Sequence, residues 1–221
     1  MSLSVQTVVE HVAIAVTAVG GALAARGRNI DLLGFVTLGL TTTLGGGTVR
    51  DILGGSLPVG WIRQPELLVN GVVSPFVAFF LLRNGREPVR ALALADAASM
   101  ALFSWVGAQK GLDLGFAVPV ALLFAVVTGV AGGILRDMML GQIPSVFRPQ
   151  PALYATAALG GAATGVAVLR WTGSEAWAMA TAISVALALR LGSVWRKVGL
   201  PAFERPNPIA SGPITTSLSR S

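Results

Sequence analysis

The sequence has no cysteine, and only one histidine and one tyrosine among its 221 residues. Lack of cysteine excludes disulfides, thiolate metal sites and cysteine nucleophiles. The lone histidine, His11, has no second ligand nearby, and the carboxylates are scattered, so neither a catalytic triad nor a metal set is present. No Gly-Lys-Ser/Thr follows the glycine-rich stretches, which rules out a phosphate loop. The chain is not expected to be an enzyme or to hold a cofactor. Charge is scarce as well: 12% of residues are Asp, Glu, Lys or Arg, against about 25% in soluble domains. The net charge is +6, but the bases stand singly at the ends of apolar segments. That pattern carries topology rather than a nucleic-acid footprint, so no nucleic-acid partner is expected.

What fills the chain instead is apolar sequence. Hydrophobic residues make up 53% of it and the mean hydropathy is +0.73. Apolar segments recur along nearly the whole length, each close to the ~20 residues that cross a bilayer. The expected fold class is an all-α polytopic membrane protein with seven transmembrane helices, at about 8–25, 30–54, 65–82, 91–109, 115–140, 152–169 and 176–191. Glu10 and His11 interrupt the start of the first span, so it does not read as a cleaved signal. Residues 1–200 read as one transmembrane domain. Residues 201–221, with Pro201, Pro206, Pro208 and Pro213 among serines and threonines, read as a disordered tail. Arg26, Arg28, Arg83, Arg86, Arg90, Arg148, Arg190, Arg196 and Lys197 fall on the side of the C-terminus; only Arg63, Lys110 and Arg170 fall on the other. The positive-inside rule then predicts a cytoplasmic C-terminus and an N-terminus outside.

The organising signal is a repeat. Arg136-Asp137 lies 86 residues after Arg50-Asp51, and the same interval relates Glu10 to Asp96, Gly46-Gly47 to Gly132-Gly133, and Pro58 to Pro144. The repeats run from about 5 to 86 and from about 91 to 172, with an added seventh helix at about 174–192. Each holds three spans, an odd number, so the copies are expected to insert with opposite orientation. Such inverted repeats place a pathway or binding site near the midplane, where their equivalent helices meet.

Gly45, Gly46 and Gly47 end a long apolar run, and each weakens a helix by about 1 kcal/mol relative to alanine. Thr48, Arg50 and Asp51 follow directly, and Gly132, Gly133, Arg136 and Asp137 repeat the pattern. These breaks are expected to free backbone carbonyls that could serve a dehydrated cation; close helix packing is the other reading. A charge at the bilayer centre costs roughly 2.5–3.5 kcal/mol. Adjacent residues on a helix do not face each other, so each arginine is expected to pair across the fold with the other repeat's aspartate. The resulting clamp, a pore border, or both would account for these charges. Asp96 and, less directly, Glu10 are candidates for facing the pathway. Ser99, Ser104, Thr41, Thr42, Thr43 and Thr128 add hydroxyls.

Gly45-Gly46-Gly47-Thr48-Val49-Arg50-Asp51-Ile52-Leu53-Gly54 and Gly132-Gly133-Ile134-Leu135-Arg136-Asp137-Met138-Met139-Leu140-Gly141 carry a family resemblance. On these motifs the chain resembles the prokaryotic trimeric intracellular cation (TRIC) channels, together with bacterial relatives described as glycine transporters, over residues 5 to 200. The resemblance implies a homotrimer in a prokaryotic inner membrane, with one pore per subunit, inverted three-helix repeats, and second and fifth spans kinked at the glycines. It also implies potassium-permeable monovalent cation conduction, with sodium admitted and no resident metal. The animal channels carry a lysine-glutamate-valine signature that binds a phosphoinositide; Gly132 to Arg136 occupy the comparable region here, which argues against that regulation. A carrier for a small zwitterion such as glycine is the alternative, since half-helix termini suit a carboxylate and an ammonium.

Overall fold

The computed structural model describes residues 5–82, 89–148 and 153–196. Arg83, Arg86, Lys197 and the tail at 201–221 lie outside them, as do the expectations placed there. The described chain is helical: α1 (Val5–Ala24), α2 (Leu32–Leu53), the short α3 (Gly60–Arg63), α4 (Pro65–Leu82), α5 (Val89–Asp113), α6 (Val118–Met139), α7 (Ala155–Thr172) and α8 (Glu175–Arg196). A single 3-10 turn, Ser145–Phe147, precedes α7.

Local sequence explains the boundaries. Asp31 caps α2 by accepting the Gly34 N–H at 2.7 Å, which satisfies one of the orphan donors of the first turn. Helices α2 and α6 end alike, each followed by a glycine at positive φ, Gly55 at 63° and Gly141 at 66°. Gly173 closes α7 in the left-handed conformation, where a Cβ would be strained.

The polarity of the fold is inside out compared with a soluble protein. Arg50, Asp51, Asp96, Arg136, Asp137 and Arg190 are buried, while Val69, Val73, Phe76, Phe80 and Leu81 form an exposed stripe along α4. Hydrocarbon, not water, is the solvent that makes this favourable. On α8, exposed Trp177 and Trp195 stand near opposite ends, about 27 Å apart at helical rise, a separation matching the ~30 Å hydrocarbon layer. Among the described residues, six helices are long and apolar enough to cross a membrane: α1, α2, α4, α5, α6 and α8. The sixth predicted span is present as α7, but its 18 residues are rich in Ala, Gly and Thr and include Arg170, so it falls outside that group.

Helices equivalent under the 86-residue interval pack on one another. On α1 and α5, Gly20 approaches Ala95 while Thr17 meets Ser99. On α2 and α6, Gly46 meets Thr128 while Gly132 meets Thr42. Both pairs are antiparallel, the arrangement an inverted repeat requires. Helix α8 packs outside this quartet. Ala178, Ala182 and Ala186 lie against Gly161 and Gly165 of α7, a small-residue seam that lets the backbones approach closely.

One expectation is corrected. Helices α2 and α6 are not broken at their glycines; each continues as α-helix through the motif. The glycines act by removing side chains at a crossing. A Cβ on Gly46 would overlap the Thr128 carbonyl oxygen, and one on Gly132 would overlap that of Thr42. Backbone packed against backbone outweighs the weak local preference of glycine to leave a helix.

Candidate functional site

Two polar cavities flank the α2–α6 crossing. The larger, about 220 Å³, opens beside the first turns of α1 and the last turns of α5. Its charged lining is Glu10, Arg50, Asp51, Lys110 and Asp113, with Thr43, Gly47, Trp61 and Phe103 among its other walls. The smaller, about 10 Å³, lies on the other side of the crossing, bordered by Asp96, Arg136, Tyr154, Gly132, Gly133 and several hydroxyls. Thr43 and Phe103 border both. Thr43 and Phe103 therefore stand between the two cavities.

The arginine–aspartate pairs stand beside these cavities, though not paired as predicted. Arg50 Nε donates to Oδ1 of its own neighbour Asp51 at 2.8 Å, and Arg136 Nε to Oδ1 of Asp137 at 2.9 Å. The cross-repeat pairing does not form. The reason lies in the loops that follow. Asp51 Oδ2 accepts the Gly60 N–H at 2.7 Å. Asp137 Oδ2 accepts the Ser145 N–H at 2.8 Å and its hydroxyl at 2.7 Å. Each carboxylate is thus anchored by the loop, and its free oxygen faces back to an arginine long enough to curl onto it. Because both side chains are buried, an adjacent pair that would be worth little on an exposed helix becomes the best available.

At the small cavity a larger network forms. Arg136 Nη1 reaches Asp96 Oδ1 at 3.1 Å, Tyr154 O–H donates to the same oxygen at 3.1 Å, and Arg190 Nη2 lies 3.6 Å from Oδ2. The Arg190 guanidinium also stacks 4.4 Å over the Tyr154 ring. Glu10, the equivalent of Asp96, makes no ion pair within 4.0 Å among the described residues.

The other predicted positions divide. Gly47 and Gly133 line the larger and smaller cavities respectively. Gly45 instead receives the Leu135 side chain, and Thr48 accepts the Trp61 indole N–H at 3.0 Å, holding the loop to α2. Ser104 is corrected: it borders neither cavity but donates to Met100 O at 2.6 Å and packs against Gly129. Its small size serves the α5–α6 contact. Asp137 is an anchor rather than a lining group. His11 ties α1 to α4 by accepting Asn70 Nδ2–H at its carbonyl, 3.0 Å away. Tyr154 and Phe103 escaped sequence reasoning, and Arg190 was assigned to topology alone. A base flanked by Leu189 and Leu191 in an apolar helix was the available signal.

Comparison with known proteins fits this geometry. The sequence model of the family described as glycine transporter matches residues 7–83 and again 93–170, starting points 86 residues apart. The chain is 33% identical over 194 residues to the inner membrane protein YadS of Escherichia coli, covering 87% of this chain and 93% of that one. A Vibrio cholerae membrane protein is 32% identical over 190 residues, with 86% and 79% covered. Among solved structures, the TRIC trimeric intracellular cation channel orthologue from Rhodobacter sphaeroides aligns with a TM-score of 0.81 at 33% identity, covering 87% of this chain and 98% of that one. The chain belongs to the TRIC family. A prokaryotic TRIC channel crystallised in 0.5 M KCl aligns at 0.79 with 25% identity. The TRIC fold therefore covers most of this chain, and both described cavities lie within the one chain.

Proposed function

We propose that this TRIC-family chain is a potassium-permeable monovalent cation channel, a homotrimer with a pore in each subunit. The observation that carries the reading is the pair of cavities meeting at Thr43 and Phe103 within one chain. The larger cavity carries three carboxylates, Glu10, Asp51 and Asp113, against two cations, Arg50 and Lys110. A net negative mouth with low-dielectric walls raises the local cation concentration. The similar solved proteins are trimeric cation channels by name, which supports the assembly. Two three-helix repeats followed by α8, an inner-membrane location, and an N-terminus outside with the C-terminus cytoplasmic complete the assignment. Arg136, the base nearest in position to the animal lipid signature, is buried against Asp96 and Asp137, which argues against phosphoinositide capture there.

Purified protein in planar bilayers should pass ohmic potassium currents that are lost in Gly46→Leu, whose side chain would fill the helix crossing. A silent bilayer accompanied by saturable uptake of solute would overturn the reading. The second reading, a carrier for a small zwitterion, draws on the family description and on the mixed acidic and basic lining of the larger cavity. Glycine counterflow in proteoliposomes would identify it.

A further inference from the structure

An apolar slot opens where the end of α1, the start of α2 and the end of α4 come together, away from both polar cavities. Its volume is about 130 Å³, and Ala22, Ala25, Phe35, Ala78 and Phe79 line it. Leu33 in the first turn of α2 and Leu81 in the last turn of α4 are 76% and 75% exposed, so the surface around the slot suits hydrocarbon. Arg26 and Arg28 line the same slot. Arg26 donates to the Leu82 carbonyl at the end of α4, and Arg28 Nη1 to the Leu140 carbonyl at the end of α6, at 2.6 Å. Among the described residues no carboxylate lines the slot, and none lies within 4.0 Å of Arg28. Capping the end of α6 does not by itself call for an arginine. The 86-residue interval sets Leu112 against Arg26 and Leu114 against Arg28. In the second repeat Leu114 lies against Gly54, the cap of α2, and Leu112 packs on the cluster of Ala108, Ala125 and Ala162. Helix α2 thus ends without an arginine where α6 ends with one. A guanidinium carries five N–H donors in a planar fork, and the Leu140 carbonyl engages Nη1 alone. The rest of that fork matches the oxygens of a phosphate.

We propose that this slot holds one anionic phospholipid of the adjoining leaflet, its phosphate on Arg26 and Arg28 and the first methylenes of one acyl chain between Phe35 and Ala78. The two chemistries of the site are those of the lipid: bases for the phosphate, an apolar slot for the chain. A soluble anion would use only the first. The corresponding position in the second repeat has leucines for both bases, so the lipid marks one leaflet only. Under the orientation proposed above that leaflet is cytoplasmic, where anionic headgroups draw bases to the surface. The site uses no residue of the charge networks around Asp51 and Asp96, and it stands whether the chain conducts ions or carries a solute.

The test is native mass spectrometry of the purified full chain, delipidated in detergent and titrated with phosphatidylglycerol, phosphatidylcholine or glycerol 3-phosphate. Wild type should bind phosphatidylglycerol about tenfold more tightly than phosphatidylcholine, the worth of one charge-assisted hydrogen bond, and should retain no glycerol 3-phosphate. Arg28→Leu, which copies the second repeat, should abolish the preference between the two lipids. Arg90→Gln removes an exposed base of α5 and should leave that preference intact. Equal uptake of both lipids by wild type, or a preference that survives Arg28→Leu, would overturn the site. Loss of the preference in Arg90→Gln to the same extent would also overturn it, by reducing it to general surface charge. Tight retention of glycerol 3-phosphate would reveal a site for the phosphate alone and sink the lipid assignment. Should Arg28→Leu fail to assemble, Arg28→Gln, which removes the charge but keeps an N–H donor for the Leu140 carbonyl, takes its place with the same expected result.

Discussion

Asp96 should be the carboxylate this fold can least afford to lose. Its side chain is 11% exposed and meets Arg136, 6% exposed, and Arg190, 7% exposed. Asp96→Asn keeps the size and an acceptor oxygen for Tyr154, so it removes little but charge. The two carboxylates and two guanidiniums of the network then become one and two, leaving the buried guanidiniums one carboxylate short. Breaking a buried pair from one side costs about 3–5 kcal/mol. For a chain of this length each kcal/mol shifts the melting point by about 2–4 °C, so the loss should be roughly 6–20 °C in detergent, followed by tryptophan fluorescence. Arg190→Met removes the more distant partner and leaves Asp96 paired to Arg136, so its effect should be smaller. The double variant restores neutrality and should melt above Asp96→Asn alone, with a coupling of about 0.5–3 kcal/mol. Strict additivity of the two substitutions would mean that Arg190 and Asp96 do not share an electrostatic well, and the network argument would fail.

Other consequences are as direct. Gly46→Ala and Gly132→Ala drive a methyl group into the Thr128 and Thr42 carbonyls, and should each cost about 1–3 kcal/mol by overpacking. Gly21→Ala and Gly192→Ala, where a Cβ meets nothing within 4 Å, should instead be neutral or gain up to about 1 kcal/mol of helix propensity; equal melting points across the four would sink the crossing argument. Arg190→Met should raise the open probability in bilayers by loosening Asp96, and an unchanged open fraction would leave Arg190 as a strut. The native absence of cysteine allows a clean topology test. Asp113→Cys should react with a membrane-impermeant maleimide in intact cells and Arg148→Cys only after lysis, and the opposite pattern would reverse the proposed orientation.

Much of the architecture was legible because it is written in periods. Apolar runs near bilayer length located the helices, and the 86-residue interval aligned Glu10 with Asp96 and Arg50 with Arg136 before any contact was known. The pairing of charges was not legible, since it depends on loops. Without the Gly60 and Ser145 N–H groups holding the far oxygens of Asp51 and Asp137, nothing in a helix would turn an aspartate towards the residue before it. Glycine was ambiguous for a similar reason. Three in a row weaken an isolated helix, but a second helix laid across them keeps the hydrogen-bond ladder intact and uses the missing side chains as clearance. Tyr154 and Arg190 stand 58 and 94 residues from Asp96, beyond the reach of any local pattern.

The two halves of the molecule differ most where their sequences correspond. Glu10 and Asp96 occupy equivalent positions on α1 and α5, yet one faces a cavity of about 220 Å³ and the other sits at one of about 10 Å³. The difference is traceable to groups the first repeat lacks. Tyr154, at the entrance to α7, is one; Arg190, on α8, is the other, and α8 has no counterpart in the pseudo-symmetry. A strictly twofold pair would make both mouths alike, sealed together or open together. Adding one helix with one buried base narrows the cavity beside Asp96 and leaves the one beside Glu10 wide. The asymmetry of the two cavities therefore comes from α8 together with Tyr154 of the second repeat, both acting on Asp96.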